Sequence, residues 1–231
     1  MDISNLRGII FDIHKTLVDD RGFPRERIWK LLLKSGTRVS MPKYYRYYDD
    51  ITGELFDWTK IEKFMKVRDI HKQKLLSFYE KYNVERNVER DLNYLLRPMK
   101  ECRIYEEVPR VLEILRSKYR IGLLSNADND DPLIEILLKS GLKFDSIVTS
   151  ESVKAYKPNP VVFQKILSEM KLQKHQVVLV GDSQIADVLG GKRFGIRVVW
   201  INRTNDILRK GIPQPDYEIP NLSELLCIIG R

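Results

Sequence analysis

From about Arg103 onward the chain alternates short apolar runs with amphipathic stretches, and this alternation constrains the fold more than any other feature. Helical spacing from about Pro109 to Lys118 leads into Tyr119-Arg120-Ile121-Gly122-Leu123-Leu124, which ends at Ser125-Asn126. A helix at about Pro132 to Lys139 is stopped by Gly141, and the short run Ser146-Ile147-Val148 follows. Next come a helix from about Pro160 to Met170 and the run Val177-Val178-Leu179-Val180, ending at Gly181-Asp182. A helix near Ile185 to Phe194, the strand Arg197-Val198-Val199-Trp200-Ile201 and a helix near Ser223 to Ile229 close the chain. Strands covered on both faces read as unbroken apolar runs, and strands separated by helices of about ten residues predict parallel βαβ units. The expected fold is α/β, a doubly wound parallel sheet of Rossmann-like type.

One more strand of this kind precedes a long change of period. Gly8-Ile9-Ile10-Phe11 delivers Asp12 at its end, and Thr16 follows four residues later. From Val18 to about Arg103 the spacing is helical. Pro24 to Ser35 places Ile28, Leu31 and Leu32 on one face, and Gly36 can end that helix. A second helix starting near Met41-Pro42 carries Tyr44, Tyr45, Tyr47 and Tyr48. A third is predicted from about Trp58 to Lys81, and a fourth from about Val88 to Leu96, stopped by Pro98. Four helices with short loops predict a small all-α bundle inserted into the α/β core. The expected domains are therefore 1–17 with 104–231 for the core and 18–103 for the insertion.

Composition excludes several classes. Hydrophobic residues at 43% and charged residues at 31% describe a soluble globular chain. The apolar runs are far shorter than the roughly 20 residues of a membrane span. The start Met1-Asp2-Ile3-Ser4-Asn5 shows no secretory pattern, which points to a cytoplasmic protein. Cys102 and Cys227 form no CxxC pair and read as two buried thiols rather than a disulfide or a metal site. Net charge is +8, and residues 18–103 carry 20 Lys+Arg against 14 Asp+Glu. That excess suits a small anionic substrate, with an ion-paired surface as the plainer explanation. No basic tract or known module points to nucleic acid, and nothing points to a membrane partner. Monomer and homodimer both stay open.

Four polar clusters sit at strand ends or helix starts: Asp12 to Thr16, Ser125-Asn126, Lys157-Pro158-Asn159-Pro160, and Gly181-Asp182-Ser183 with Asp187. In a doubly wound sheet such ends converge on one edge, where ligands bind. Asp12 and Asp182 can share a hard cation such as Mg2+, and Lys157 can neutralise charge developing in a transition state. A carboxylate can also attack as a nucleophile. Taken singly, each cluster could be a turn or a helix cap. Their ordered recurrence is what argues for a site.

Together these residues resemble the haloacid dehalogenase-like (HAD) hydrolase superfamily. Asp12-Ile13-His14-Lys15-Thr16 is similar to its first motif, DxDxT, and Leu124-Ser125-Asn126 to its second. Lys157-Pro158-Asn159-Pro160 is similar to the third and Gly181-Asp182-Ser183 with Asp187 to the fourth, while the helical insertion resembles its cap domain. The resemblance implies that Asp12 is the nucleophile. Thr16, Ser125 and Asn126 would hold the oxygens of the transferring group, and Lys157 would stabilise nucleophile and phosphate. Asp12, Asp182 and the backbone carbonyl of His14 would bind Mg2+, with Asp187 in support.

The resemblance breaks at His14, where phosphatases of the superfamily carry the acid/base Asp. An imidazole, with an unperturbed pKa of about 6.5, can serve in both protonation roles near neutral pH. It can also be a space-filling group. Metal-independent 2-haloacid dehalogenases lack the second Asp too, since a halide leaving group needs no proton, but they replace the carboxylate found here as Asp182. The expectation is therefore a Mg2+-dependent phosphatase of a small phosphomonoester. A 2-haloacid dehalogenase is the alternative, and a catalytically impaired binding module stands behind both.

Overall fold

In this computed structural model, residues 4–20, 24–55, 64–97 and 102–229 are described. The chain divides into two compact units, Met1–Asp19 with Arg103–Arg231, and Asp20–Cys102.

In the first unit the apolar runs become strands, because each can bury both its faces under helices. These are β1 (Gly8–Phe11), β4 (Arg120–Ser125), β5 (Ser146–Thr149), β6 (Val177–Gly181) and β7 (Arg197–Ile201); three shorter, partly exposed strands join them, β2 (Val18–Asp19), β3 (Arg103–Ile104) and β8 (Tyr217–Ile219). Six of them form one sheet in the order β5-β4-β1-β6-β7-β8, every pair parallel. β1 lies at the centre, with Phe11 level with Leu123 on one side and Val180 on the other. The chain runs outward from β1 through β4 to β5, then returns across to β6. The reversal of strand order beside β1 makes the crevice where open α/β sheets bind ligands, and the residue following Phe11 is Asp12.

Helices of the first unit are α5 (Val108–Arg116), α6 (Pro132–Lys139), the short α7 (Ser150–Val153), α8 (Pro160–Met170), α9 (Gly190–Phe194) and α10 (Ser223–Ile229). Ile10, Leu124, Leu179 and Val198 pack with Val162, Phe163, Ile166 and Met170 of α8 and with Phe194 of α9 in one core. The predicted helix Ile185–Phe194 instead opens with a π-helical turn, Gln184–Leu189, before α9. The Ser183 carbonyl accepts from both Asp187 and Val188 N–H at 3.0 Å, and the Ser183 hydroxyl caps Ala186 N–H. Such turns recur at functional sites. β8 escaped prediction because its three residues form no apolar run. The two cysteines are not buried: Cys102 is half-buried and Cys227 exposed, and they form no disulfide.

The expected boundaries at 17/18 and 103/104 fall beside a two-stranded antiparallel ribbon. Val18 pairs with Ile104 and Asp19 with Arg103, and backbone pairing keeps Val18 and Asp19 with the sheet unit. The chain therefore leaves and rejoins that unit at one place.

The second unit contains α1 (Arg25–Lys34), α2 (Met41–Leu55), α3 (Val67–Lys81) and α4 (Val88–Leu96). Ile28, Leu31, Leu32, Tyr44, Leu75, Phe78, Leu92 and Leu95 form its core. The predicted third helix begins at Val67; its expected start at Trp58 lies outside the described residues, as does Pro98, the expected stop of the fourth. Tyr44 and Tyr48 are core residues beside Phe78, and the Arg25 guanidinium lies 3.7 Å over the Tyr45 ring. Asp91, 2% exposed, accepts from Arg86 at 2.6 and 2.7 Å and from the Tyr79 hydroxyl at 2.8 Å. Burial alone would raise the Asp91 pKa, but these donors hold it below the usual carboxylate range. Among the described residues no helix is long and apolar enough to cross a membrane.

Candidate active site

Asp12 leaves the central strand with its N–H bonded to the Val180 carbonyl at 2.9 Å, so its direction is set by the sheet. A tight turn follows. The Ile13 carbonyl accepts from Thr16, Leu17 and Val18 N–H at 2.9–3.3 Å, and Lys15 adopts the left-handed region at φ 50°. For a residue with a Cβ that conformation costs roughly 1 kcal/mol, so the surroundings must enforce it. The half-buried His14 bridges to Val18 across this turn.

Lys157 is the hub. Its side chain is buried, and Nζ donates to Asp12 Oδ1 at 2.7 Å, Asp187 Oδ1 at 2.6 Å and the Leu124 carbonyl at 3.0 Å. An ammonium has three N–H donors, and all three are used. Burial alone would lower the Lys157 pKa, but the carboxylates of Asp12 and Asp187 reverse that and hold it well above the ordinary lysine value. The lysine is therefore charged throughout the physiological range.

Asp12, Asp182 and Asp187 each bring a carboxylate oxygen within 4.8 Å of the others. Burial, then the charges of Asp12 and Asp187, push Asp182 up to about 8, with Lys15 and Lys157 opposing. Burial first raises Asp187, to about 6, with the Asp12 charge adding and Lys157 opposing. Three acids held this close against one fixed cation form a set short of positive charge. Hard oxygen donors of this kind suit Mg2+, so the residues present fit the cation that the sequence implies. Both oxygens of Asp187 are engaged, one by Lys157 and the other by Ser183 N–H at 3.0 Å, so its carboxylate ties the lysine to the loop after β6. A Cβ on Gly181 would overlap the Asp187 carboxylate, so glycine there is what admits it. The Trp200 indole N–H donates to the Asp182 carbonyl at 2.8 Å and fixes that loop.

The remaining expected residues divide into two kinds. The hydroxyls of Thr16 and Ser125 are buried and have no hydrogen-bond partner in the protein. Buried donors are normally satisfied, so two orphan hydroxyls, one in the turn after Asp12 and one at the end of the neighbouring strand β4, indicate a place for ligand oxygens. Asn126 is different: its Oδ1 accepts from Lys157 N–H at 2.7 Å and its Nδ2 donates to the Lys157 carbonyl at 3.1 Å. The amide expected to bind substrate thus holds the main chain of the lysine.

Sequence reasoning passed over Arg203, which donates to the carbonyls of Lys15 and Thr16 and to Glu107. Its only signal is its place two residues beyond the strand Arg197–Ile201, at the same sheet edge as the other strand ends.

Known proteins resemble this chain along nearly its whole length. A rat N-acylneuraminate-9-phosphatase (Rattus norvegicus) is 23% identical over 99% of this chain and 96% of its own length. A (S)-2-haloacid dehalogenase 4A from Burkholderia cepacia is 26% identical over 99% of this chain and 97% of its own. The crystal structure of the HAD-hydrolase YfnB from Bacillus subtilis, bound to magnesium, superposes with a TM-score of 0.78 at 21% identity, covering 98% of this chain and 100% of that one, and so shares the fold. The sequence profile of the haloacid dehalogenase-like hydrolases matches residues 9–201, a span that includes Asp12, Lys157, Asp182 and Asp187. The chain belongs to the haloacid dehalogenase-like hydrolase family.

Proposed function

We propose that the protein is a Mg2+-dependent phosphatase that hydrolyses a small phosphomonoester through an aspartyl-phosphate at Asp12. The observation that carries this is the third acid: Asp182 stands with Asp12 and Asp187 inside one 4.8 Å cluster. A dianionic phosphate gains from such a site, whereas displacement of halide from carbon does not need one. Mg2+ held by Asp12, Asp182 and the backbone carbonyl of His14 would neutralise phosphate charge.

Asp12 attacks phosphorus, the bond to the leaving oxygen breaks, and the His14 imidazolium gives that oxygen its proton. Water then attacks phosphorus, His14 takes the proton, and Asp12 leaves as a free carboxylate with phosphate released. Lys157, kept charged by its two carboxylates, stabilises the negative charge that builds around Asp12. Thr16 and Ser125 hydroxyls donate to the phosphoryl oxygens, and Asn126 keeps Lys157 in place. The helical unit takes the part of the cap domain that selects the substrate. Phosphatases are among the relatives, including a phosphoglycolate phosphatase from Aquifex aeolicus at 27% identity over 98% of both chains.

Acid quenching during turnover of an aryl phosphate, followed by peptide mass mapping, tests the step at Asp12. A phosphoryl group on the peptide containing Asp12 is expected, and it should vanish in Asp12→Asn. Phosphate release undiminished in Asp12→Asn would remove the mechanism.

One observation favours a second reading. His14 stands where a carboxylate acid is expected, and halide departure needs no acid. A 2-haloacid dehalogenase with an ester at Asp12 is that reading.

A further inference from the structure

We propose that Arg203 is a positioning residue that holds the nucleophile turn in its reactive shape, gripping it by the backbone. Its Nε donates to the Lys15 carbonyl at 3.0 Å, and its Nη2 donates to the Thr16 carbonyl at 2.9 Å and to Glu107 Oε1 at 2.7 Å. One edge of the planar guanidinium therefore spans two consecutive carbonyls. The group is itself wedged: the Tyr105 ring lies 3.5 Å from Cζ, and the side chain is 11% exposed. Glu107 is braced in turn, accepting also from Leu222 N–H at 3.3 Å. Tyr105 N–H closes the end of the turn on the Leu17 carbonyl at 3.1 Å.

The turn needs such a hold. Lys15 stands at φ 50°, where a residue with a Cβ does not rest unaided. Asp12 lies three residues before the strained position, and the orphan hydroxyl of Thr16 one residue after it. Relaxation of Lys15 toward an ordinary conformation would therefore move one reacting group against the other. Arg203 touches neither the attacking carboxylate nor Lys157; it acts through the main chain. Lysine could keep the charge at this place but has no fork to take two carbonyls, nor a flat face for Tyr105.

This inference rests on Asp12 as the nucleophile. The full-length protein with Arg203→Met, Arg203→Lys or Asp12→Asn is assayed on p-nitrophenyl phosphate with Mg2+, and exchange of the 11–18 backbone amides is followed by mass spectrometry. Arg203→Met should lower kcat by about 100-fold, the cost of a misplaced reacting group, with KM changed far less. Arg203→Lys should lose about tenfold, in keeping with one missing charge-assisted hydrogen bond. Both should speed exchange at 11–18 while the thermal midpoint still reports a folded protein. Should the methionine variant not fold, the lysine variant carries the test. A folded Arg203→Lys with wild-type kcat and wild-type exchange would overturn the proposal. Activity surviving Asp12→Asn would instead remove the nucleophile assignment, and the exchange measurement needs no turnover to be read.

Discussion

Asp182 shows how the site's chemistry follows from a shortage of positive charge. With only Lys157 fixed among three acids, Asp182 is held at about 8 and Asp187 at about 6, against an ordinary 3.8. A carboxyl whose pKa is raised by folding keeps a proton that the unfolded chain has already released. The folded state then binds more protons, so stability falls as pH rises between those values. Chelator-treated protein should therefore lose stability in urea from about pH 4 to pH 8, and Asp182→Asn or added Mg2+ should flatten the slope. A stability that rises across that window without metal would contradict the assignment. Asp91 and Glu107, both held below the ordinary carboxylate range, give the opposite slope: their contribution is present above their unfolded pKa and lost as pH falls through the folded value, below this window. At this scale the sequence showed which residue types stand at the strand ends. It did not show that Asn126 turns onto Lys157, because an amide that serves the backbone and one that serves a ligand look alike in a motif. Arg203 was hidden for a related reason: its partners are carbonyls, which every residue has.

The elements decide how closely the acids can approach. Gly181 ends β6, and the π-helical turn that follows swings Asp187 back over it. Gly181→Ala should force the carboxylate aside, costing about 1–3 kcal/mol by overpacking and lowering phosphate release with it. Urea unfolding and a rate measurement on the same variant check both effects; an alanine variant with unchanged stability and activity would show that Asp187 has room to spare. Apolar runs made β1, β4, β6 and β7 legible, since a strand buried on both faces has no polar option. β8 and the β2–β3 ribbon were not, because two or three residues carry no period. The π-helical turn was read as an ordinary helix: its apolar spacing fits either, and what selects the wider turn is the Ser183 carbonyl accepting two N–H groups.

At the scale of the whole molecule, a change of period from strand to helix and back predicts an insertion at 18–103, and the two compact units of the chain meet at Asp19/Asp20 and Cys102/Arg103. No motif marks what the insertion selects: Tyr44 and Tyr48 are core residues, and specificity lies in side chains whose identity follows no pattern. The family is common to phosphatases and dehalogenases, so the choice between them falls on the acid cluster. The most direct measurement sets an aryl phosphate beside a 2-chloro acid, each with Mg2+ and with chelator, on the wild-type protein. Phosphate release that requires Mg2+, without chloride release, is the predicted result; chloride release that survives the chelator, with no phosphate formed, would contradict it.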